Sequence, residues 1–225
     1  MHRYRIFHRT SYSFPDSVTL GTHYLRLRPR EDYEVRIESS SLNITPQPKS
    51  LLWHRDVEGN SVATAIFTAS SKQLLIESEV FIQHYNEAPL DFLVADYAIN
   101  YPFNYATEDR ILLEPYMVLP VQKTRILLDD WIGQFWQSGD EIQTYSLLQR
   151  LASHIHENLE YRVREEPGVQ TPGETLSSAS GSCRDFATLF MEAARCLGLA
   201  ARFVSGYLHN EPAPDTQGAT HAWTE

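Results

Sequence analysis

Along this chain the spacing of hydrophobic positions changes once, from a period of two in the first third to a period of three and four beyond residue 120. In the first stretch Tyr33, Val35 and Ile37 alternate with polar neighbours, as do Val62, Thr64 and Ile66, and then Leu74, Ile76, Ser78, Val80 and Ile82. That is the pattern of half-buried strands. Glu58-Gly59-Asn60 supplies a turn before the second set, and Pro29, Pro46 and Pro48 interrupt earlier runs. Regularly spaced short strands predict an antiparallel β-sandwich over residues 1–95. Residues 96–139 read as a packed connector with a helix, because Pro102, Pro115 and Pro120 stand among many aromatics; Pro89 belongs to the same proline-rich stretch.

Helical periods follow. Ile126, Leu127, Trp131 and Phe135 define one face, and after Ser138-Gly139-Asp140 the positions Leu148, Leu151, Ile155 and Leu159 define another. The stretch from Tyr161 to Ser182, rich in Pro, Gly, Ser, Thr and Glu, predicts a surface loop at a substrate cleft. From Cys183 the apolar residues Phe186, Leu189, Phe190, Ala193, Ala194 and Leu197 recur at three and four, so Cys183 opens a helix that stops at Gly198. A β-rich run over 201–208 comes next. His209 to Gly218, with Pro212 and Pro214, reads as an exposed loop, and a second strand begins at Thr220. A turn back would pair the two strands antiparallel and carry His221 toward the start of the Cys183 helix.

That juxtaposition suggests chemistry. A helix N-terminus carries partial positive charge and unpaired N–H groups, so it stabilises a thiolate and can donate to a developing oxyanion. Cys183 is the candidate nucleophile and His221 the candidate base; the two need only be close in space. Ser182 is disfavoured as a nucleophile because no G-x-S-x-G elbow surrounds it. Asp185 lies two residues along the helix, on another face, where it would complement the helix dipole. Arg184 reads as a solvated or ion-paired side chain, Trp223 as either a wall of the site or core packing, and Tyr161 as a candidate side-chain oxyanion donor. His154 and His156, two apart, cannot share a helical face.

Three linked segments, Gly181-Ser182-Cys183-Arg184-Asp185-Phe186-Ala187, the Leu197 to Tyr207 run, and Thr220-His221-Ala222-Trp223-Thr224-Glu225, resemble the core of bacterial transglutaminase-like cysteine peptidases. The opening third resembles the β-rich domain that accompanies this core. The resemblance implies an α+β protein: an N-terminal antiparallel β-sandwich, then a papain-like, transglutaminase-like core over 140–225. It implies thiol-dependent acyl transfer on an amide bond of a peptide or protein. Water as acceptor makes a peptidase or amidase, an amine acceptor makes a transglutaminase, and a non-catalytic binding module is the rival reading. The resemblance also places an Asp or Asn that orients the imidazole on a strand after Glu225. The core is therefore expected to be truncated before its last strands, and this chain to be weakly active or inactive. Glu225 itself is a poor substitute, because four residues of extended strand span about 13 Å.

Composition narrows the partners. Nineteen basic and twenty-nine acidic residues give a net charge of −10. No Lys/Arg stripe accompanies them, which argues against nucleic acid or an anionic membrane as partner. The N-terminus lacks an apolar core of signal-peptide length, so a cytoplasmic address is expected. Cys183 and Cys196 lie about 20 Å apart on one helix, which excludes a disulfide between them. Cys196 is expected to be a small buried hydrophobe. Neither a metal nor a cofactor is expected, since no set of three or four convergent ligands is visible.

Overall fold

The computed structural model describes residues 1–85, 88, 92–164, 166–209 and 220–225. They fall into two compact units, Met1–Phe92 and Leu93–Glu225, and the stretch 96–139 lies within the second.

The first unit is built from β1 (His2–Thr19), β2 (His23–Leu25), β3 (Val35–Thr45), β4 (Ser50–Arg55), β5 (Ser61–Ile66) and β6 (Ser70–His84). They form two three-stranded antiparallel sheets, ordered β1-β6-β3 and β2-β5-β4. The strict alternation along β6 is realised, with Leu74, Ile76, Ser78, Val80 and Ile82 all buried on one face. On β5 the pattern departs from expectation: Ala63 and Ala65 are buried along with Val62. The strand lies in the middle of its sheet, paired with β2 on one edge and β4 on the other, and its alanines are too small to reach past those neighbours to solvent. Leu20, Leu74 and Ile76 form a core that also takes in Leu25 of β2 and Leu42 and Ile44 of β3. The expected turn at Glu58-Gly59-Asn60 joins β4 to β5, closed by Gly59 N–H donating to Asp56 O at 2.9 Å.

The second unit runs β7 (Asn100–Tyr101), α1 (Thr107–Leu113), α2 (Gln122–Ile132), β8 (Ile142–Gln143), α3 (Thr144–Asn158), β9 (Glu160–Tyr161), α4 (Pro172–Ser178), β10 (Ser180–Gly181), α5 (Cys183–Cys196), β11 (Phe203–Tyr207) and β12 (Thr220–Thr224). Its core gathers Leu128, Trp131 and Ile132 of α2, Leu147, Leu151 and Ile155 of α3, and Leu189, Ala193 and Ala194 of α5. Burying a side chain of this size is worth about 1.5–3 kcal/mol. The face of α2 is rotated from the expected one. Leu128, Trp131 and Ile132 point inward, while Ile126 is exposed and Phe135 lies beyond the helix end. The described residues of 161–182 also include a helix that the loop reading lacked. Thr171 accepts the N–H of Glu174, and Glu174 accepts the N–H of Thr171, a capping box that starts α4.

Helix α5 ends at Cys196, just before the expected stop at Gly198, and β11 and β12 pair antiparallel with Gly206 opposite His221. Thr224 Oγ1 donates to Ala187 O at 2.7 Å and so ties β12 to the helix. The expected loop over 209–218 falls outside the described residues from position 210 on. No helix among the described residues is long and apolar enough to cross a membrane.

Candidate active site

The approach to α5 is fixed by a two-residue parallel ladder. Ser180 pairs with Glu160 and Gly181 with Tyr161, held by Glu160 N–H to Ala179 O at 2.8 Å and Arg162 N–H to Gly181 O at 2.9 Å. Gly181 is required by close approach. A Cβ there would stand 2.9 Å from Asp185 Cβ and 3.0 Å from Phe186 Cε1, so any side chain would push the chain off the helix start. Cys183 then occupies the first helical position, half-exposed.

Beneath the helix start lies a carboxylate whose role was not legible from its spacing. Asp185 is fully buried. Its Oδ2 accepts the N–H and the hydroxyl of Ser182, each at 2.8 Å, and its Oδ1 accepts Gln170 N–H at 2.8 Å. Arg164 Nη1 donates to both oxygens, at 2.7 and 2.9 Å. Burial alone would raise its pKa; the bonds from Ser182, Gln170 and Arg164 outweigh it and bring the carboxyl down to about 2. Asp185 is in the first turn, as the dipole reading requires, but its main partners are an ion pair and the residues flanking the cleft. It also consumes the Ser182 hydroxyl. Arg184, expected in solvent or in a salt bridge, instead donates to the backbone carbonyls of Arg164 and Glu166, and its Nε is buried without a partner among the described residues.

Cys183 and His221 line the same cavity, of about 360 Å³. The rest of its wall is Tyr161, Phe186, Ala187 and Phe190, two residues of α3, and Ala222, Trp223 and Thr224 of β12. Tyr161 and Cys183 line the same wall, and burial followed by the proximity of Cys183 raises the phenol's pKa. Tyr161 is thus protonated throughout the neutral range and able to donate. A larger open concavity of about 520 Å³ on the first unit, bordered by Arg28, Trp53 and Arg55, contains neither Cys183 nor His221.

The remaining candidates are placed as follows. The ring of His221 has no hydrogen-bond partner among the described residues, and the carboxylate of Glu225 is engaged by Arg202 Nε at 3.0 Å. Cys196 is half-buried near the end of α5; burial, with Asp129 nearby, pushes its thiol up to about 11. His154 packs against Trp131 and Phe135 with ring centroids at 5.3 and 5.0 Å. Trp223 walls the cavity and lies over Gly206 on the neighbouring strand. Among the described residues no group of three or more His, Cys, Asp and Glu side chains could hold a metal ion.

Comparison with known proteins matches both units in order. Residues 4–83 match the bacterial transglutaminase-like N-terminal region, and residues 137–225 match the transglutaminase-like superfamily. An uncharacterized protein of Mycobacterium tuberculosis is 30% identical over 235 residues, covering 99% of this chain and 72% of the relative. One from Mycobacterium leprae is 25% identical over 234 residues, covering 100% of this chain and 79% of the relative. A candidate cysteine protease from Cytophaga hutchinsonii has the same fold, with a TM-score of 0.67 at 17% identity over 99% of this chain and 72% of that one. Two family matches in the expected order, together with a relative aligned over nearly the full chain, show that this protein belongs to the bacterial transglutaminase-like family.

Proposed function

We propose that this protein carries out thiol-dependent acyl transfer on an amide bond of a peptide or protein, with hydrolysis as the outcome. The observation that carries the reading is the shared cavity of Cys183, at a helix start, and His221, on the adjoining strand, with Tyr161 on the same wall. Cys183 loses its proton to His221, and its sulfur adds to the amide carbonyl. The carbonyl oxygen gathers negative charge, which the Cys183 N–H and the Tyr161 hydroxyl stabilise. His221 passes the proton to the leaving amine, the C–N bond breaks, and a thioester remains on Cys183. Water attacks the thioester and releases the acid and the free thiol. Likeness to a candidate cysteine protease agrees with hydrolysis, whereas the family name alone would allow an amine acceptor equally well.

The test is trapping and turnover with a mixed peptide library, in the presence and absence of a primary amine, for wild type and Cys183→Ala. A mass increase on Cys183 matching an acyl group, lost in Cys183→Ala and in His221→Ala, is the expected result. Acylation or turnover that survives Cys183→Ala removes the nucleophile assignment. Amine-linked product exceeding free acid replaces hydrolase with transferase.

A further inference from the structure

The cavity that holds Cys183 and His221 has a one-sided chemistry. Cys183 and His221 are its titratable groups apart from the Tyr161 phenol, and no Asp, Glu, Lys or Arg lines it among the described residues. Starting at Cys183, the wall continues along α5 through Phe186 and Phe190, three and seven residues on, so it follows one face of the helix for about 10 Å. Ala152 and Ile155 of α3 also line it, as does Trp223 of β12, 39% exposed. A volume of about 360 Å³ accommodates a leucine or phenylalanine side chain together with the peptide backbone that bears it. A charged side chain entering here would leave water without gaining a partner of opposite sign.

We infer that this cleft is a specificity pocket for a large uncharged apolar side chain, of the leucine or phenylalanine class, borne by the peptide residue next to the amide that Cys183 attacks. The inference rests on the acyl-transfer reading for its chemistry, but the recognition is a separate property of the walls. A glutamine-type or lysine-type side chain is the wrong occupant. The amide or ammonium of such a group would face Phe186, Phe190 and Ile155, with no described side-chain charge and few hydrogen-bonding groups to receive it. Ala152 is the position at which the pocket can be re-cut, because it is exposed on α3 and carries no core contact of its own that a larger residue would displace.

Two measurements separate this inference from the function it deepens. In the first, the full chain carrying Cys183→Ala is titrated calorimetrically with a matched peptide set that differs at one position: Leu, Phe, Gln, Lys or Asp. The Leu and Phe peptides are expected to bind at least tenfold more tightly than the Gln, Lys and Asp peptides. Equal affinity across the set, or no binding by any member, overturns the pocket assignment. In the second, the same set with the scissile amide replaced by an electrophile is reacted with wild type and with Ala152→Glu, following the mass of Cys183. Wild type is expected to label about tenfold or more faster with Leu and Phe, and Ala152→Glu to shift preference toward Lys. Labelling rates that ignore the side chain, or a preference unmoved by Ala152→Glu, also count against the pocket. Selective binding without any Cys183-dependent acylation would leave the pocket standing and sink the acyl-transfer reading.

Discussion

At the scale of single residues, two side chains in α5 define what the helix start can do. Cys183 is half-exposed beside the Tyr161 hydroxyl, while Cys196 has its thiol raised by burial to about 11. A thiolate is the reactive form, so a limiting amount of iodoacetamide near neutral pH is expected to modify Cys183 many times faster than Cys196, with the difference erased in denaturant. Equal labelling in the folded protein would contradict an activated nucleophile. Asp185 gives an acid-stability prediction. Its carboxyl titrates near 2 in the folded chain against an ordinary 3.8, so its stabilisation is complete above about pH 4 and disappears as pH falls through 2. At 1.36 kcal/mol per pKa unit this is about 2 kcal/mol. Asp56 in the first unit is also lowered to about 2, by Asn60, but its contribution cancels when wild type and Asp185→Asn are compared. Asp185→Asn should lose about 3 kcal/mol at neutral pH by leaving Arg164 with half a partner, and denaturant midpoints should show less acid sensitivity in the variant. An acid limb identical in both proteins would mean the clamp contributes nothing.

Secondary-structure elements differ in how far the sequence announces them, and the reasons are physical. Helix α5 was legible because Phe186, Leu189, Phe190, Ala193 and Ala194 share one face, and the β11–β12 pairing because turn-rich residues separate two short apolar runs. The α2 face was read one position off. Ile126, Leu127 and Leu128 are three apolar residues in a row, and only packing against α3 and α5 decides which turn inward. Helix α4 was hidden by loop-like composition although Thr171-Pro172-Gly173-Glu174 carries an N-cap, a proline at the first position and a glutamate at the third. The pairing of Asp185 with Arg164 could not be read at all, since it joins residues 21 apart across a segment whose composition hides its own helix. Strand β11 supplies its own test. A Cβ on Gly206 would stand 2.6 Å from Trp223 Cη2, so Gly206→Ala must displace the indole that borders the cavity. The expected cost is about 1–3 kcal/mol in denaturant unfolding, accompanied by a change in tryptophan emission, and Trp223→Leu in the same chain should recover much of the loss. A Gly206→Ala protein with unaltered stability and emission would show that the indole is not held there.

Over the whole molecule, charge is distributed unevenly between the units. Residues 1–92 carry ten Lys and Arg against eleven Asp and Glu, 10 − 11 = −1, whereas residues 93–225 carry nine against eighteen, 9 − 18 = −9. The cleft is apolar inside, yet it belongs to the strongly acidic unit. Peptides that present an apolar side chain to the cleft and lysines at a distance from it are therefore expected to associate faster than neutral ones, by a factor that shrinks as ionic strength rises past about 0.15 M. Stopped-flow association at 20 and 300 mM salt would measure this, and an association rate independent of both peptide charge and salt would contradict it.

The short ladder between β9 and β10 has a meaning in time as well as in space. Tyr161 and Cys183 stand together because Glu160 N–H is bonded to Ala179 O and Arg162 N–H to Gly181 O. Side chains rotate within nanoseconds, but parting two backbone segments joined in this way is a local unfolding event, orders of magnitude slower. The backbone segments that carry the phenol and the thiol therefore stay in register through many encounters with solvent and substrate, and part only in the rare moments when the ladder opens. The exchange rate of the Arg162 amide is a clock for those moments.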